Sequence, residues 1–471
     1  MLDFLYIDQR SETPLYRQLY DQIKSAINRG ALPNGHRLPP TRELAGQLGL
    51  NRTTISAAYA LLESDGLVQG HVGRGSFVKA FPIPIELRPS AISFASSRPA
   101  GDEFPLADFQ AACMDVATGP DTAAILQLGS PFGYGPLRSH LLQEALAEGC
   151  AGTGDDVLIT SGCQQALDLV QRVLVRPGAT VLVEDPVYHG VRQVFSRDSL
   201  RIAGVSMGRD GIDMEQLART VAELRPQLLV VTPTFQNPTG ATMPVSARKR
   251  LLAIAAQFDV TIIENDIYGA LRYEGEGLPT LKQLDRSNRV ILLRSFSKIA
   301  FPGLRVGWVV GSKSAIARLA EARQWCDLHT DQLSQAILLR FVQTGRLRAH
   351  LDCVRQAGAE RLRAALDACE RHLPAGSEYS RPSGGMNLWV RLPSPLNAAQ
   401  LLPAAERQNV TYLPGAHFAV MQPQEGALRI SFGSLTPEAI RAGIAILGRV
   451  FSEELERGQI PSRFEAASAL V

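Results

Sequence analysis

Beyond residue 105 the chain alternates short apolar runs with amphipathic segments, and this alternation restricts its fold more than any other feature. The apolar runs cover residues 157–160, 180–184, 228–232, 260–264 and 290–293. Strands that are buried on both faces read as continuous apolar runs, and the helices that cover them read as amphipathic segments. We therefore expect a largely parallel sheet covered by helices.

The length and composition of the chain indicate more than one folded domain. Its 471 residues exceed the roughly 250–300 residues at which a single core stops growing. An apolar fraction of 45% and a charged fraction of 20% are typical of a soluble globular protein. We expect a helix-rich domain over residues 1–79, a linker over 80–105 and an α/β domain over 106–471.

Charge and cysteine content argue against several classes of protein. The formal net charge of +2 is close to neutral, so any nucleic-acid-binding surface must be local. The six cysteines form no Cys-x-x-Cys pair, which argues against a zinc site and against a disulfide-rich secreted scaffold. The first ten residues lack a signal pattern, and no apolar run approaches the ~20 residues that span a bilayer. A cytoplasmic protein without a metal site or a membrane partner is expected.

Closely spaced prolines mark the expected linker. They follow Phe81, Ile83, Arg88 and Arg98, and they favour an extended backbone over a helix or a central strand. Residues 92–94 leave a second interpretation open, because they can form a short strand that docks on the α/β domain.

The first domain has the pattern of three helices. After Thr13-Pro14, apolar residues recur every four positions, at Leu15, Leu19, Ile23 and Ile27. A second helix is predicted over 38–48 and a third over 52–62, with a tight turn at Gly49-Leu-Asn51 between them. The apolar face of the third helix comprises Ile55, Ala58, Tyr59 and Leu62.

Two helices joined by a three-residue turn are the helix-turn-helix layout, in which the second helix presents its first residues to the DNA major groove. Strands over 67–70 and 76–79 would add a wing with a glycine-rich tip. Arginine and threonine are suited to phosphates and base edges. The expected DNA contacts are Arg42, Arg52, Thr53, Thr54, His71, Arg74 and Gly75. A helical domain that makes only protein contacts is the alternative.

The segment from Pro14 to Val78 resembles the GntR family of winged-helix regulators over its whole length. The resemblance rests on Leu38-Pro-Pro-Thr-Arg-Glu-Leu-Ala45, Leu48-Gly-Leu-Asn-Arg-Thr-Thr-Ile55, Ala58-Tyr-x-x-Leu-x-x-x-Gly-Leu67 and Gly73-Arg-Gly-Ser-Phe-Val78. It implies a winged helix-turn-helix domain that binds double-stranded operator DNA.

A lysine just beyond the last apolar run is the strongest chemical signal. In Ser295-Phe-Ser-Lys298 the lysine can form a Schiff base with an aldehyde cofactor, provided that its neighbours hold the cofactor. Asp266 follows another run, and a carboxylate there can keep a pyridine nitrogen protonated. Asn237 and Tyr268 can bind the ring oxygen, and Tyr188 can stack on the ring face.

A phosphate cup is predicted beside this lysine. Ser161-Gly-Cys-Gln-Gln165 follows a run and begins a helix, so its backbone N–H groups can hold a phosphate. Hydroxyls and a guanidinium would complete the cup. Its expected members are Gly162, Cys163, Gln164, Ser295, Ser297 and Arg305. All these positions lie just beyond strand ends, where open α/β sheets bind ligands, and together they predict a pyridoxal 5′-phosphate site.

Residues from about 105 to about 455 resemble the fold-type I aminotransferases. The order of Tyr188, Asn237, Asp266, Tyr268, Lys298 and Arg305 is the order in that family. The resemblance implies that Lys298 is the Schiff-base lysine and that Asp266 pairs with the pyridine nitrogen. Arg429 falls where the family places the arginine that binds the α-carboxylate of the substrate, and its planar fork suits that group. A surface arginine on a strand is the alternative.

Position 128 departs from the family pattern. Such aminotransferases carry Tyr-Gly several residues before a Gly-x-x-Pro-Leu-Arg stretch, and the tyrosine reaches the phosphate in the partner subunit. Here Leu128 precedes Gly129, and a leucine cannot donate that hydrogen bond. Cofactor affinity or turnover is expected to suffer unless Tyr134 compensates.

A winged helix followed by an aminotransferase-like domain resembles the MocR subfamily of GntR regulators over nearly the whole chain. This implies a homodimeric transcription regulator, not an enzyme, that senses an amino acid or related amine through imine exchange at Lys298. Arg429 favours an acidic amine over a polyamine. Two alternatives stay open: an active aminotransferase with an accessory DNA-binding domain, and a DNA-binding module whose large domain is only a dimerisation scaffold.

Overall fold

The fold is taken from a computed structural model that describes residues 5, 7, 13–28, 32, 36–65, 67–71, 75–78, 91–196, 200–421 and 424–459. The chain divides into two compact units. The smaller comprises Met1–Ala91 with Ala399–Asn409, and the larger comprises Ile92–Ala398 with Val410–Val471.

The N-terminal part of the smaller unit contains the predicted helices and wing strands. They are α1 (Leu15–Asn28), α2 (Thr41–Leu48), α3 (Arg52–Ser64), β1 (Val68–His71) and β2 (Gly75–Val78), and β1 pairs with β2 in an antiparallel ladder. Gly49 ends α2 in the left-handed conformation at φ +63°, and the Asn51 side chain accepts a hydrogen bond from Thr53 N at 3.1 Å to begin α3. These two caps make the sharp turn between the helices.

The apolar faces predicted for these helices form one core. Leu19, Ile23 and Ile27 of α1 pack in a cluster with the four residues predicted for α3, and all of them are buried. The helix-turn-helix prediction is confirmed. Strand β1 begins and ends one residue later than predicted, and β2 begins and ends one residue earlier. Lys79, the last residue predicted for the second wing strand, lies outside the described residues.

The larger unit alternates helices and strands. Its helices are α4 (Leu106–Ala117), α5 (Thr122–Ile125), α6 (Gly135–Ala147), α7 (Cys163–Leu174), α8 (His189–Phe195), α9 (Met214–Leu224), α10 (Val245–Phe258), α11 (Leu281–Leu284), α12 (Lys313–Asp327), α13 (Gln332–Gln343), α14 (Arg346–His372) and α16 (Pro437–Gln459). Helix α15 (Ala398–Arg407) spans the segment that is counted with the smaller unit. In the described part of the chain, no helix is both long and apolar enough to cross a membrane.

The strands of the larger unit form a central sheet and two smaller ones. They are β3 (Ile92–Ser93), β4 (Asp155–Thr160), β5 (Thr180–Asp185), β6 (Arg201–Gly208), β7 (Gly211–Ile212), β8 (Leu228–Val231), β9 (Thr261–Asn265), β10 (Val290–Ser295), β11 (Gly307–Ser312), β12 (Glu378–Tyr379), β13 (Asn387–Arg391), β14 (Val410–Thr411), β15 (Leu413–Pro414) and β16 (Ala427–Ser431). Among the described residues the central sheet has eight strands, in the order β4-β11-β10-β9-β8-β5-β6-β7, and a second sheet has the order β12-β13-β16-β15.

The five predicted apolar runs all lie in the central sheet, on β4, β5, β8, β9 and β10. Strands β6, β5, β8, β9 and β10 pair in parallel, whereas β11 pairs antiparallel with both β10 and β4. Val157 and Ile159 pack into one apolar cluster and Leu158 into another, because neighbouring side chains of a strand point to opposite faces. The α/β fold with helices on both faces is confirmed, with a mixed sheet in place of a uniformly parallel one.

Residues 92–94 belong to the larger unit. Strand β3 pairs in parallel with β14, Phe94 N donates to Thr411 O at 2.8 Å, and Phe94 O accepts from Ser431 N at 3.0 Å. Phe94 is completely buried. The second interpretation of this stretch, a short docked strand, matches these contacts, and the expected linker overlaps the larger unit from residue 92 onward.

Candidate functional site

Lys298 lies in a one-turn 3₁₀ helix, Phe296–Lys298, that follows directly on β10. Its ammonium group donates to the backbone oxygen of Ser97 and lies 5.9 Å from the centre of the Tyr268 ring. Ser97 is 201 positions away in the chain. Ser97 accepts this bond with its backbone oxygen, a group that every residue has. The sequence therefore did not indicate the contact.

Asn237 and Tyr268 meet beside this lysine. Asn237 Nδ2 donates to the Tyr268 hydroxyl at 3.2 Å, and Ser97 Oγ lies 3.3 Å from the same hydroxyl. Burial raises the pKa of Tyr268, but the charge of Lys298, the hydroxyl of Ser97 and the charge of Arg429 together hold it below its ordinary value. A phenol in this setting gives up its proton more easily than a free tyrosine.

Arg429 is buried on β16 and joins the same cluster. Its Nη1 donates to Asn237 Oδ1 at 3.0 Å, its Nη2 donates to the backbone oxygen of Ala95, and its guanidinium lies 5.0 Å from the centre of the Phe418 ring. Its Nε is buried and has no hydrogen-bond partner among the described residues. Burial lowers its pKa to about 10. The surface-arginine interpretation does not match this burial.

The residues predicted for the phosphate cup lie together at one end of the sheet. Arg305 donates from Nη1 to Ser297 Oγ at 3.2 Å and from Nη2 to Ser161 O at 3.3 Å. Ser295 Oγ lies 3.0 Å from Ser297 Oγ. Gly162 precedes α7 at φ +78°, and a Cβ there would lie 2.5 Å from Arg305 Nη2. Glycine is therefore required at this position. Cys163 and Gln164, the first two residues of α7, follow it directly.

Asp266 follows β9 and carries an ion pair that the sequence did not predict. Its Oδ2 lies 3.1 Å from Arg294 Nε, and its backbone N donates to Leu293 O at 2.9 Å. Arg294 lies on β10, the parallel neighbour of β9. The sequence carries one sign of this ion pair: a charged residue, Arg294, directly follows the apolar residues 290–293 of β10.

Tyr188 lies at the N-terminal end of α8. Its ring centre is 4.6 Å from that of His189, and burial raises its pKa. Burial also lowers the pKa of His189 to about 4, with the charge of Arg429 adding to the effect. The imidazole is therefore neutral at physiological pH.

Three of the four DNA contacts predicted on α2 and α3 are exposed, and the fourth is half-buried. Arg52 and Thr53 begin α3 and face solvent, Thr54 is half-buried, and Arg42 is exposed on α2. Arg52 Nε lies 3.4 Å from Thr41 Oγ1. Gly75 begins β2 and is exposed, the backbone of His71 ends β1, and Arg74 lies outside the described residues.

Leu128 has 78% of its surface exposed in the single chain. Gln332 Nε2 fixes the segment around it by donating to Gln127 O at 2.6 Å. Tyr134 is half-buried, and its backbone N donates to Gln335 Oε1 at 2.8 Å. Whether Tyr134 compensates for Leu128 stays a prediction.

Comparison with protein families gives two matches along the chain. Residues 92–447 match the family described as aminotransferase class I and II, and residues 15–78 match the family described as bacterial regulatory proteins, gntR family. The chain belongs to the aminotransferase class I and II family. A segment of the GntR family precedes this aminotransferase domain, so the two matches together support a transcription regulator with an aminotransferase-like domain.

Individual relatives of this aminotransferase-family chain fall into two groups. The 2-aminoadipate transaminase of Thermus thermophilus is 37% identical over 77% of this chain and 90% of its own. The probable rhizopine catabolism regulatory protein MocR of Rhizobium meliloti is 28% identical over 97% of this chain and 98% of its own. The crystal structure of the α-aminoadipate aminotransferase LysN from Thermus thermophilus, complexed with N-(5′-phosphopyridoxyl)-L-leucine, has 34% identity and a TM-score of 0.74 over 85% of this chain and 99% of its own.

Membership of the aminotransferase family implies pyridoxal 5′-phosphate as the cofactor, and the residues of this structure suit it. The guanidinium of Arg305 and the neighbouring hydroxyls match a phosphate. The cradle at Gly162 would be filled by a Cβ. The buried, unpartnered Nε of Arg429 points to a further anionic ligand group.

Proposed function

We propose that this chain is a transcription regulator that senses an acidic amino compound at Lys298 and passes the signal to its DNA-binding domain. The observation that carries the proposal is one continuous set of contacts that joins Lys298, Tyr268, Asn237 and Arg429. It brings a half-buried reactive amine and a buried carboxylate receptor into one cluster. An amino acid presents the two complementary groups.

The phosphate of the cofactor would be bound by the cup. Arg305 supplies a charged fork, Ser295 and Ser297 supply hydroxyls, and the start of α7 supplies backbone N–H groups at the positive helix end. The cup residues are Gly162, Cys163, Gln164, Ser295, Ser297 and Arg305.

Four side chains would orient the cofactor ring. Asp266 would bind the ring nitrogen, Asn237 and Tyr268 would bind the ring oxygen, and Tyr188 would stack on one face of the ring. When bound, pyridoxal phosphate supplies an aldehyde that condenses reversibly with primary amines, first that of Lys298 and then that of the effector. The lowered pKa of Tyr268 allows its hydroxyl to take up or return the proton that this exchange moves at Lys298 Nζ.

The backbone of residues 94–97 offers a route from the ligand to the linker. Lys298 donates to Ser97 O, and Arg429 donates to Ala95 O. A cofactor on Lys298 would compete with Ser97 O for the lysine, and a carboxylate on Arg429 would compete with Ala95 O for the arginine. Each ligand would therefore weaken one of the hydrogen bonds that hold residues 94–97. The stretch begins just after the boundary at residue 91, which connects it covalently to the DNA-binding domain. An effector shifts DNA affinity only if it binds the two arrangements with different affinities.

The DNA-binding part of the proposal rests on the exposed start of α3. Arg52, Thr53 and Thr54 would read the major groove, Arg42 would bind the backbone, and the wing residues His71, Arg74 and Gly75 would contact phosphate or the minor groove. A homodimer would present two such domains to two half-sites.

The homodimer is proposed on apolar side chains that the single chain leaves exposed. They are Leu126, Leu128, Trp325 and Leu328, with exposures of 68%, 78%, 85% and 54%. Gln332 Nε2 holds the first two in place through the backbone oxygens of Ile125 and Gln127. Burial against a second copy of the chain would remove the apolar surface of these side chains from water.

A true aminotransferase with an accessory DNA-binding domain is the second candidate, favoured by the complete set around Lys298. The experiment that separates the two has two arms. Purified protein with cofactor is screened against amino acids for changes in its absorbance, and active compounds are then tested for changes in operator mobility. Sustained turnover with a 2-oxo acid at roughly 1 s⁻¹ or more would favour the enzyme. A compound that alters the spectrum and leaves DNA affinity unchanged would contradict the sensing role.

A further inference from the structure

Arg294 connects Asp266 to the protein surface. Its Nε lies 3.1 Å from Asp266 Oδ2, and its Nη1 lies 2.6 Å from Glu148 Oε2. The side chains of Asp266 and Arg294 are 10% and 21% exposed, whereas that of Glu148 is 47% exposed. The result is a line of three charges, negative, positive and negative, that runs outward from the proposed cofactor ring.

The fold fixes each member of this line. Asp266 directly follows β9, Arg294 lies on its parallel neighbour β10, and Asp266 N donates to Leu293 O. Glu148 caps the C-terminal end of α6, and its backbone oxygen accepts from Gln283 Nε2 at 2.6 Å. Burial lowers the pKa of Arg294, but Asp266 and Glu148 more than offset this and hold it above its ordinary value. Arg294 therefore stays charged at neutral pH.

Only one carboxylate oxygen of Asp266 is engaged by Arg294. The other, Oδ1, faces Gly269, where a Cβ would lie 2.3 Å away. Among the described residues no hydrogen bond reaches Oδ1, which leaves this oxygen for a second partner such as the ring nitrogen. A cation on Oδ2 and a protonated ring nitrogen on Oδ1 would then share a single negative charge.

We infer that Arg294 is a positioning residue that orients the Asp266 carboxylate and draws part of its charge away from the cofactor ring. This rests on the role proposed for Asp266. A lower pKa of the ring nitrogen leaves it protonated in a smaller fraction of the molecules, and a ring with an unprotonated nitrogen is a weaker electron sink. The consequence is a site that still exchanges amines at Lys298 but removes protons from bound amino acids slowly, as suits a sensor.

Two other charged groups near Asp266, Glu264 and Arg248, bind other partners. Glu264 is buried and accepts hydrogen bonds from Leu281 N and Lys282 N, and burial together with the charge of Asp266 raises its pKa to about 7. Arg248 is buried and donates to backbone oxygens and to Thr234 Oγ1. Neither has a hydrogen bond to Asp266 among the described residues, so Arg294 is the group to change.

The test measures the proton on the ring nitrogen directly. Full-length protein is loaded with pyridoxal phosphate that carries ¹⁵N in the ring, and the ¹⁵N chemical shift is followed against pH by solid-state NMR. We expect the wild-type nitrogen to titrate within the folded pH range. Arg294→Gln should raise its pKa by about one to two units, because the cation that shares the negative charge of Asp266 is removed. Arg294→Lys should stay close to wild type.

Glu148→Gln gives the opposite sign and carries the test if Arg294→Gln folds poorly. Removing the outer negative charge leaves Arg294 to bind Asp266 alone, so the ring-nitrogen pKa should fall by a smaller amount. Arg340→Gln, which removes an arginine paired with Asp115 at 3.1 Å on helices that carry no proposed site residue, is the matched control and should change nothing. A structural defect would not shift the value in opposite directions.

Two outcomes overturn the inference. Identical titration of wild type, Arg294→Gln and Glu148→Gln would show that Arg294 does not tune the ring, and so would a wild-type nitrogen that never titrates. In either case Asp266→Asn separates the role of Arg294 from the proposed function. If this variant loses the signal of the protonated nitrogen, Asp266 keeps its proposed role and the proposed function survives. If Asp266→Asn changes nothing, the assignment of Asp266 fails as well.

Discussion

Arg429 Nη1 donates a hydrogen bond to Asn237 Oδ1 at 3.0 Å, across 192 positions of the chain. Arg429 lies on β16 of the second sheet, and Asn237 lies in the loop after β8 of the central sheet. The bond therefore joins the proposed carboxylate receptor to the proposed cofactor site. An effector that binds one of these residues alters the surroundings of the other.

Lys298→Ala should abolish covalent attachment of the cofactor, because no other amine is proposed to reach the aldehyde. The absorbance band of lysine-bound cofactor should be replaced by that of the free aldehyde. Lys313→Ala is the control, since Lys313 is exposed and its Nζ donates to Thr153 O at 2.8 Å. A band that persists in Lys298→Ala would point to a different anchoring lysine, and absence of any band in the wild type would leave a dimerisation scaffold.

Arg429→Gln should weaken acidic amino acids that alter the cofactor spectrum by roughly 30-fold or more, equivalent to about 2 kcal/mol. The amide cannot replace a bidentate charged fork. Titration of the absorbance change gives the apparent Kd. Arg381→Gln, which removes an exposed arginine paired with Glu370 at 3.3 Å, should leave the Kd unchanged. Equal loss in both variants would contradict a specific carboxylate contact.

Arg52→Ala should weaken operator binding about tenfold and reduce the salt dependence of binding by about one counterion. Arg52 is exposed at the first position of α3 and has space to reach a phosphate or a base. Fluorescence anisotropy at several salt concentrations measures both quantities. Arg441→Ala removes the same charge from the larger unit and is the control. Unchanged affinity in Arg52→Ala would exclude this helix start from the interface.

Leu126→Glu with Leu128→Glu should shift the protein from dimer to monomer, because two charges would have to be buried at the proposed interface. Analytical ultracentrifugation measures the change. Leu224→Glu, at the end of α9 with 45% exposure, is a matched control away from that segment. A dimer that survives the double change would place the interface elsewhere.

Glu184 should make thermal stability depend on pH. It is completely buried at the end of β5, its Oε1 accepts from Thr232 N at 3.0 Å, and burial raises its pKa to about 8. The folded protein keeps this proton when the unfolded chain releases it near the ordinary value of 4.5. The stabilising contribution is therefore complete below pH 4.5 and is lost as pH rises towards 8.

The measurable consequence is a difference in Tm between wild type and Glu184→Gln that falls from pH 5 to pH 8. Differential scanning calorimetry at fixed ionic strength gives both values. Glu215→Gln, an exposed carboxylate paired with Arg250, serves as the control and should give a constant difference. A constant difference for Glu184→Gln as well would mean that the carboxylate is already ionised in the folded protein.

Strand positions were predictable because burial on both faces leaves a direct trace in the sequence. The run 290–293 lies in β10, but the strand continues to Ser295. Arg294 and Ser295 are polar, so the pattern ended early, whereas the ladder to β11 continues through Ser295 opposite Gly307. Hydrogen bonding between strands, not hydrophobicity, sets that end.

Most of the candidate site was also predictable, because its residues follow strand ends and strand ends on one edge of a sheet converge. Ser97 and Arg294 were not. Ser97 binds Lys298 through its backbone oxygen, and a backbone group has no sequence signal. Nothing in the sequence distinguished Arg294 from other charged residues, because only the pairing of β9 with β10 brings its partner Asp266 next to it.

The sequence by itself determined the residue types at the strand ends, and with them the amine, the carboxylate and the guanidinium groups that the chemistry requires. It also determined the caps and apolar faces of the N-terminal helices, which depend on neighbours within a few positions. Only the tertiary structure decided which groups meet, because Lys298 and Ser97, Arg429 and Asn237, and Arg294 and Glu148 are separated by more than a hundred positions each. Such contacts depend on the order and register of the strands, which no local pattern specifies.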